Sequence, residues 1–226
     1  MKWIFLLSLF LLIGAMGAAQ TNLIPCWVVK ADDFENNLDG WGILPADSLL
    51  QPTIAEGMGC ENTKGLVVHT GQHASYLYRS GLRSSTEGYL TFWFHPGTVS
   101  IPDTSGWFTG NSFRIASILG GDGWHALAAL RIRQSETGIR AFLEYRNPDT
   151  GTQYDYETGE MDILPQWQKI TLGYVVDSCI RVWRNDTLVR ELTGIDHSAE
   201  SGSIIELGKA SSNSAIVPKG IIRYDS

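Results

Sequence analysis

Glu160-Met161-Asp162 carries the sharpest catalytic pattern in the chain. Two carboxylates separated by one residue share a face when the segment is a strand. Paired carboxylates can break a glycosidic bond, one as acid and the other as nucleophile or base. The segment, however, reads as turn-like sequence just ahead of Trp167, which argues for coincidence. Other chemistries find less support. There is no Gly-x-Ser-x-Gly elbow for a nucleophilic serine. The five histidines are scattered without ligand spacing. None of the three cysteines sits in a C-x-x-C pair, which argues against zinc.

A second group of residues suits gripping rather than cutting. Gly88-Tyr-Leu-Thr-Phe-Trp-Phe-His-Pro96 alternates, with Leu90, Phe92 and Phe94 on one side and Tyr89, Thr91, Trp93 and His95 on the other. A period of two in aromatic and β-branched residues predicts a strand. On later strands, placing Leu130 and Ile132 inward turns Arg131 and Arg133 outward. Placing Ala141 and Leu143 inward turns Arg140, Phe142, Glu144 and Arg146 outward. Gathered on one sheet, Trp93, His95, Arg131, Arg133, Phe142 and Glu144 would form an aromatic surface edged by Arg and Glu. Ring faces stack on the C–H bonds of sugars, and guanidinium forks hold hydroxyls or carboxylates. Trp107 and Trp124, on or beside loops, would extend such a site. The alternative is structural: Trp93 in a core, and Arg and Glu as ordinary cross-strand pairs.

These residues need a sheet scaffold, and the rest of the chain predicts one. Strands are expected at 65–69, 74–79, 88–95, 112–119, 125–133, 139–146, 167–176, 179–184, 188–192, 203–207 and 220–224. Residues 42–64 and 147–165 read as turn-rich, and 96–111 as a long loop. Gly120-Gly121-Asp122-Gly123 and Ser135-Glu136-Thr137-Gly138 are hairpin turns. These eleven short strands, 24 glycines and no 3.6-residue period beyond the first segment predict an all-β sandwich or barrel. With 226 residues, 43% hydrophobic and 18% charged, the chain can bury a substantial core. A net charge of −7 repels phosphate backbones and sets nucleic acid aside.

Residues 1–19 read as a signal peptide: Lys2, the apolar run Trp3–Ile13 and small residues up to Ala19. The run is too short for a comfortable membrane span. The mature protein is therefore expected to be exported, extracellular or periplasmic, without stable membrane insertion. Residues 20–30 form a lead-in and 31–226 the domain. In an oxidising compartment two of Cys26, Cys60 and Cys179 can pair. Cys26 with Cys60 is the preferred pair, and three free thiols the alternative.

One order of residues is familiar: Asp33-Phe34-Glu35 with Trp41, Gly65-Leu66-Val67, Phe94-His95-Pro96, Trp167 with Ile170 and Leu172, Val182-Trp183, Leu192-Thr193-Gly194-Ile195-Asp196, Ile205-Glu206-Leu207-Gly208, and Gly220 with Tyr224-Asp225. It resembles the concanavalin A-like lectin/glucanase superfamily, in its laminin-G-like jelly-roll form, over residues 31–226. The resemblance implies two antiparallel sheets with sugars bound on the concave one. Glucanases of this fold use E-x-D-x-x-E or E-x-D-x-E, and here Pro165 or Leu164 stands where the last Glu would be. The Arg/Glu, Gln/His and Tyr-rich strands of alginate-lyase-like members are poorly matched by Leu130–Gln134. The resemblance further implies a structural Ca²⁺ held by hard oxygens, with Glu35 and Asp225 at the matching positions. Relatives usually continue for several more residues of the last strand after the position of Tyr224-Asp225-Ser226, so an abrupt or truncated end is expected to leave the closing strand short. Three functions stay open: non-catalytic glycan binding, which leads, a glycan hydrolase or lyase, and a module that binds protein.

Overall fold

The structure is a computed structural model that describes residues 34–35, 37–45, 50–70, 76–82, 84–101, 112–121, 126–145, 155–156, 160–197, 200–210 and 220–225. In chain order the described strands are β1 (Gly42–Leu44), β2 (Thr53–Ala55), β3 (Gly65–His69), β4 (Tyr76–Arg79), β5 (Glu87–His95), β6 (Ser112–Gly120), β7 (Ala126–Ser135), β8 (Gly138–Tyr145), β9 (Asp155–Tyr156), β10 (Met161–Asp162), β11 (Gln168–Val175), β12 (Cys179–Arg184), β13 (Thr187–Thr193), β14 (Gly202–Ala210) and β15 (Ile221–Asp225). The helical content of the described residues is a single 3₁₀ turn, Cys60–Asn62. None of their helices is long and apolar enough to cross a membrane. The expected signal peptide, Cys26, Trp107, Trp124 and Arg146 lie outside the described residues.

The strands form two sheets with antiparallel pairing throughout. One has eight strands in the order β1-β4-β14-β6-β7-β8-β10, with β9 also on β8. The other has seven, β13-β12-β11-β5-β15-β3-β2. This is the two-sheet sandwich that the resemblance implies. Four strands fall in stretches that read as turn-rich: β1, β2, β9 and β10. Each is only two or three residues long, too short for alternation to show in sequence.

The core lies between the sheets and is filled by every second residue of the long strands. From the seven-stranded sheet come Phe92, Phe94, Ile170, Leu172, Val182 and Ile222. From the eight-stranded sheet come Phe113, Ile115, Leu130, Ile132, Leu143 and Leu207. All are 3% exposed or less. Tyr224 ties the layers together. Its ring sits 5.7 and 5.6 Å from those of Phe92 and Phe94, and its hydroxyl donates to the Ile115 carbonyl of the opposite sheet at 2.6 Å. A buried phenol needs such a partner to offset desolvation.

A second tie crosses near the turn between β11 and β12. His197 is fully buried. Its Nδ1 accepts the Asp177 backbone N–H at 3.0 Å, its own N–H donates to Asp177 Oδ1 at 2.7 Å, and Nε2 lies 3.0 Å from the Leu127 carbonyl on β7. An accepting Nδ1 and a carbonyl at Nε2 define a neutral ring protonated at Nε2. Burial lowers its pKa.

Among the described residues Cys60 and Cys179 do not pair with each other, and Cys26, the expected partner of Cys60, lies outside them. The Cys60 backbone N–H donates to the Asp225 carboxylate at 2.7 Å.

Candidate functional site

Register on the eight-stranded sheet gathers charge onto its outer face. Arg114 of β6 lies opposite Arg131 of β7, and Arg131 opposite Phe142 of β8. One step along, Glu206, Ser117, Ala129 and Glu144 form a row across β14, β6, β7 and β8. A bulge in β6 between Arg114 and Ala116 keeps both Arg114 and Ser117 on this face. On β14, Gly208 answers it with φ +74, where a Cβ would also lie 2.5 Å from the Val68 side chain, so glycine fits the position. Beyond it, Lys209 reaches back to Glu206.

Glu144 is the centre of the group. It is fully buried and held by two cations, Arg114 at Oε1 and Arg131 at Oε2, the latter at 2.5 Å. Burial pushes its pKa up, but the charges and hydrogen bonds of Arg114 and Arg131 outweigh this and hold it below the usual carboxylate range. Glu206 accepts from Arg114 at 3.3 Å, Ser117 at 3.1 Å and Lys209 at 2.6 Å. Arg131 donates further to the Ser112 hydroxyl at 2.8 Å. Every carboxylate in this group therefore faces cations.

Around this floor lies a more open rim. Lys209 stands over the Tyr76 ring at 4.8 Å, and Arg133 over Phe142 at 5.9 Å. The Tyr76 phenol is pushed up to about 12 by burial and the Glu206 charge, against the opposing pull of Arg114. Arg133 pairs with Glu160, and Arg140 with Glu160 at 3.6 Å and Asp162 at 3.1 Å. Arg133, Arg140 and Lys209 keep about a third of their side chains exposed, at 28%, 33% and 33%.

The expected six residues do not share a sheet. Arg131, Arg133, Phe142 and Glu144 lie on the eight-stranded face. Trp93 and His95 lie on β5, in the other sheet, and point out from its opposite surface. Alternation had their inward and outward sense right, but β5 pairs with β11 and β15 rather than with β7 or β8. On that second face Trp93 lies opposite Lys169 and Asp225. His95 meets Trp167 edge-on at 5.5 Å, and its Nδ1 accepts the Gly97 N–H at 2.8 Å. Burial and the nearby Arg223 cation lower the His95 pKa, so the ring stays neutral near pH 7.

Sequence reasoning missed Arg114, Ser117, Glu206 and Lys209. The signal was present for two of them: Arg114 and Glu206 are lone charges inside the apolar runs Ser112-Phe-Arg-Ile-Ala-Ser-Ile-Leu119 and Ile204-Ile-Glu-Leu207. A charge in a buried strand requires a partner. Met161, buried, and Asp162 form strand β10 with Glu160 just before it, and both carboxylates are taken up by arginines.

Asp225 ends β15, where its Oδ2 accepts the Cys60 N–H at 2.7 Å and the Thr63 hydroxyl at 3.0 Å. Glu35 lies half-buried in the bend at 34–35. The donors are hard oxygens of the type Ca²⁺ takes. Among the described residues no group of three or more His, Cys, Asp or Glu side chains gathers as a metal centre would.

No family model matches the chain, and no curated protein does. Solved structures do. The chain is similar to a cellulose-induced protein, Cip1, at 13% identity and TM-score 0.58, over 86% of this chain and 93% of that one. It is similar to the globular domain of T. cruzi calreticulin at 10% identity and TM-score 0.56, over 86% and 87%. It is similar to a glycoside hydrolase family 16 endo-glucanase from Bacteroides ovatus at 10% identity and TM-score 0.52, over 86% and 96%. At such identities the likeness shows the fold, which is the concanavalin A-like jelly roll.

Proposed function

We propose that the protein is an exported, non-catalytic glycan-binding jelly roll whose ligand lies on the outer face of the eight-stranded sheet. The observation that carries this reading is the Arg114–Glu144–Arg131 clamp. General-acid catalysis of glycoside cleavage needs a carboxyl group that keeps its proton near neutral pH. Glu144 is held ionised and buried between two guanidinium groups. Glu160 is engaged by Arg133 and Arg140. The clamp acts as a rigid floor. Above it, Phe142 and Tyr76, with Arg133 and Lys209 over their rings, form an aromatic and cationic rim, and Arg133, Arg140 and Lys209 offer donors. Among the described residues, five cations (Arg114, Arg131, Arg133, Arg140, Lys209) stand against four carboxylates (Glu144, Glu160, Asp162, Glu206), which favours a uronic or sulfated glycan. The endo-glucanase among the similar structures supports a sugar ligand in general.

The test is titration of the mature protein with alginate and polygalacturonate oligosaccharides, with a parallel assay for released reducing ends or unsaturated products. Saturable binding without product, weakened at least tenfold by Arg133→Ala and by Phe142→Ala, supports the reading. Product release, or binding indifferent to both variants, overturns it. A structural Ca²⁺ at Glu35 and Asp225 belongs to the same proposal and has its own test. Calcium raising the melting temperature of EDTA-treated protein supports it, and an unchanged melt removes the metal from the account. Export predicts a mature N-terminus at Gln20.

A further inference from the structure

The outer face of the seven-stranded sheet is a different surface, and the glycan site proposed above does not use it. Along β5 and β11 the outward positions form successive cross-strand pairs: Tyr89 with Gly173, Thr91 with Thr171, and Trp93 with Lys169. His95 packed against Trp167 continues the row. Trp183 adds a further ring from β12, where it lies opposite Thr171. At about 3.4 Å per residue, the row from Tyr89 to His95 is about 20 Å long, room for several sugar rings.

The rings are held rather than free. A Cβ on Gly173 would lie 2.7 Å from Tyr89 Cδ1 and 3.0 Å from Trp183 Cζ3, so both rings lean over the bare glycine. Their centroids are 5.8 Å apart. The Tyr89 hydroxyl donates to Glu87 at 2.8 Å, which fixes the ring's outer edge. In the middle of the row the surface is open: Thr91 is exposed, with its hydroxyl 2.9 Å from that of Thr171. Fixed aromatic surface costs little entropy on binding.

The charges on this face cancel among themselves. Lys169 pairs with Asp186 at 2.8 Å and Arg181 with Glu191 at 2.7 Å. Arg223 lies over Trp167 at 5.5 Å, while Asp225, in the same outward direction, is taken up by Cys60 and Thr63. Glu87 adds a further negative charge, so the described residues of this face carry no net positive charge for an anionic ligand.

We propose that this aromatic row is a second carbohydrate site, for a neutral polysaccharide chain laid along β5 and β11. Its sugar rings stack on Tyr89, Trp183 and Trp93, and its hydroxyls meet the Thr91 and Thr171 hydroxyls. The site is independent of the charged face on the other sheet.

The test is affinity electrophoresis of the mature protein through gels holding hydroxyethylcellulose or galactomannan, with indole fluorescence followed in parallel. The expected result is retardation by at least one neutral polysaccharide, with a change in Trp emission. Trp183→Ala should weaken it at least tenfold. Thr91→Arg, at an exposed position that the fold does not need, should do the same by placing a bulky charge in the row. Arg133→Ala and Phe142→Ala should leave it within twofold. Thermal melts confirm that each variant is folded, and Thr91→Arg decides the matter if Trp183→Ala is not. Absence of retardation on both polymers overturns the proposal. So does retardation untouched by Thr91→Arg, or retardation lost equally in Arg133→Ala. A dimer in solution that Thr91→Arg dissociates would also overturn it, since the row would then be a protein interface. Loss of acidic-glycan binding alone leaves this second site standing, so the two readings fail separately.

Discussion

On the eight-stranded sheet, Glu144 is buried between two guanidinium groups. On the seven-stranded sheet, Thr91 stands exposed in a row that runs from Tyr89 to Trp93. Both positions point away from the core, yet one face is built from desolvated charge and the other from open aromatic surface. The difference lies in how each face fixes its geometry. Charge fixes it by pairing: removing one member leaves the others buried without a counter-charge, which is costly. Rings fix it by packing over a glycine, which leaves their outer surfaces available. A polar floor with a cationic rim suits an acidic ligand, and a charge-balanced row of rings suits a neutral one.

The contrast is most sharply tested by stability. Glu144→Gln leaves Arg114 and Arg131 facing each other in a buried site, and should cost about 3–5 kcal/mol in urea unfolding. Thr91→Ala on the other face should cost less than about 0.5 kcal/mol beyond its one hydroxyl contact. Comparable losses would erase the distinction between the faces.

His197 joins the sheets and gives the next effect. Burial lowers its folded pKa, against the upward pull of the Leu127 carbonyl and of Asp177, Asp196 and Glu200. The unfolded chain therefore binds more protons in the window below its own pKa of about 6.5. Its stability contribution is present above that pH and is lost as pH falls through the lower folded value. His197→Gln should cost about 1–2 kcal/mol at pH 8 and flatten the loss between pH 7 and pH 5. A wild-type profile that is already flat in that window would contradict the assignment.

Smaller effects separate the faces by salt. The Lys169–Asp186 pair is partly exposed, and Lys169→Ala should cost no more than about 1 kcal/mol, vanishing in high salt. The buried pairs of Glu144 should be nearly indifferent to the same salt. The smallest signal is spectroscopic: Tyr76 on one face and Tyr89 on the other should both ionise only at about 12. Tyr89→Phe and Tyr76→Phe would each remove one late-titrating phenol from an ultraviolet titration.

Much of this was legible in the sequence, though not its assembly. The alternation of 88–95 correctly sends Phe92 and Phe94 inward and Trp93 and His95 outward. Alternation is a local property, whereas sheet membership depends on pairing between distant segments, so Trp93 and Arg131 look like partners until β5 is seen beside β11 and β15. β7 hid its own role in a different way. Residues 126–132 are buried on both faces, so Ala129 carries no sign of an outward row. The clamp was half visible: Arg131 and Glu144 were expected to face outward, but Arg114 reaches them through a bulge, and a bulge leaves little trace in composition. Gly173 looks like any strand glycine until the two rings above it are placed.

The central claim is that two faces of one sandwich hold two ligands of different charge. It is tested most directly by competition. The mature protein, saturated with hydroxyethylcellulose or galactomannan, would be titrated with an oligogalacturonate at low and at moderate salt. Independent faces predict that the neutral polymer shifts the acidic oligosaccharide's apparent affinity by less than twofold, and that salt weakens only the acidic ligand. Mutual displacement, with both ligands weakened alike by salt, would place them on one surface and contradict the account.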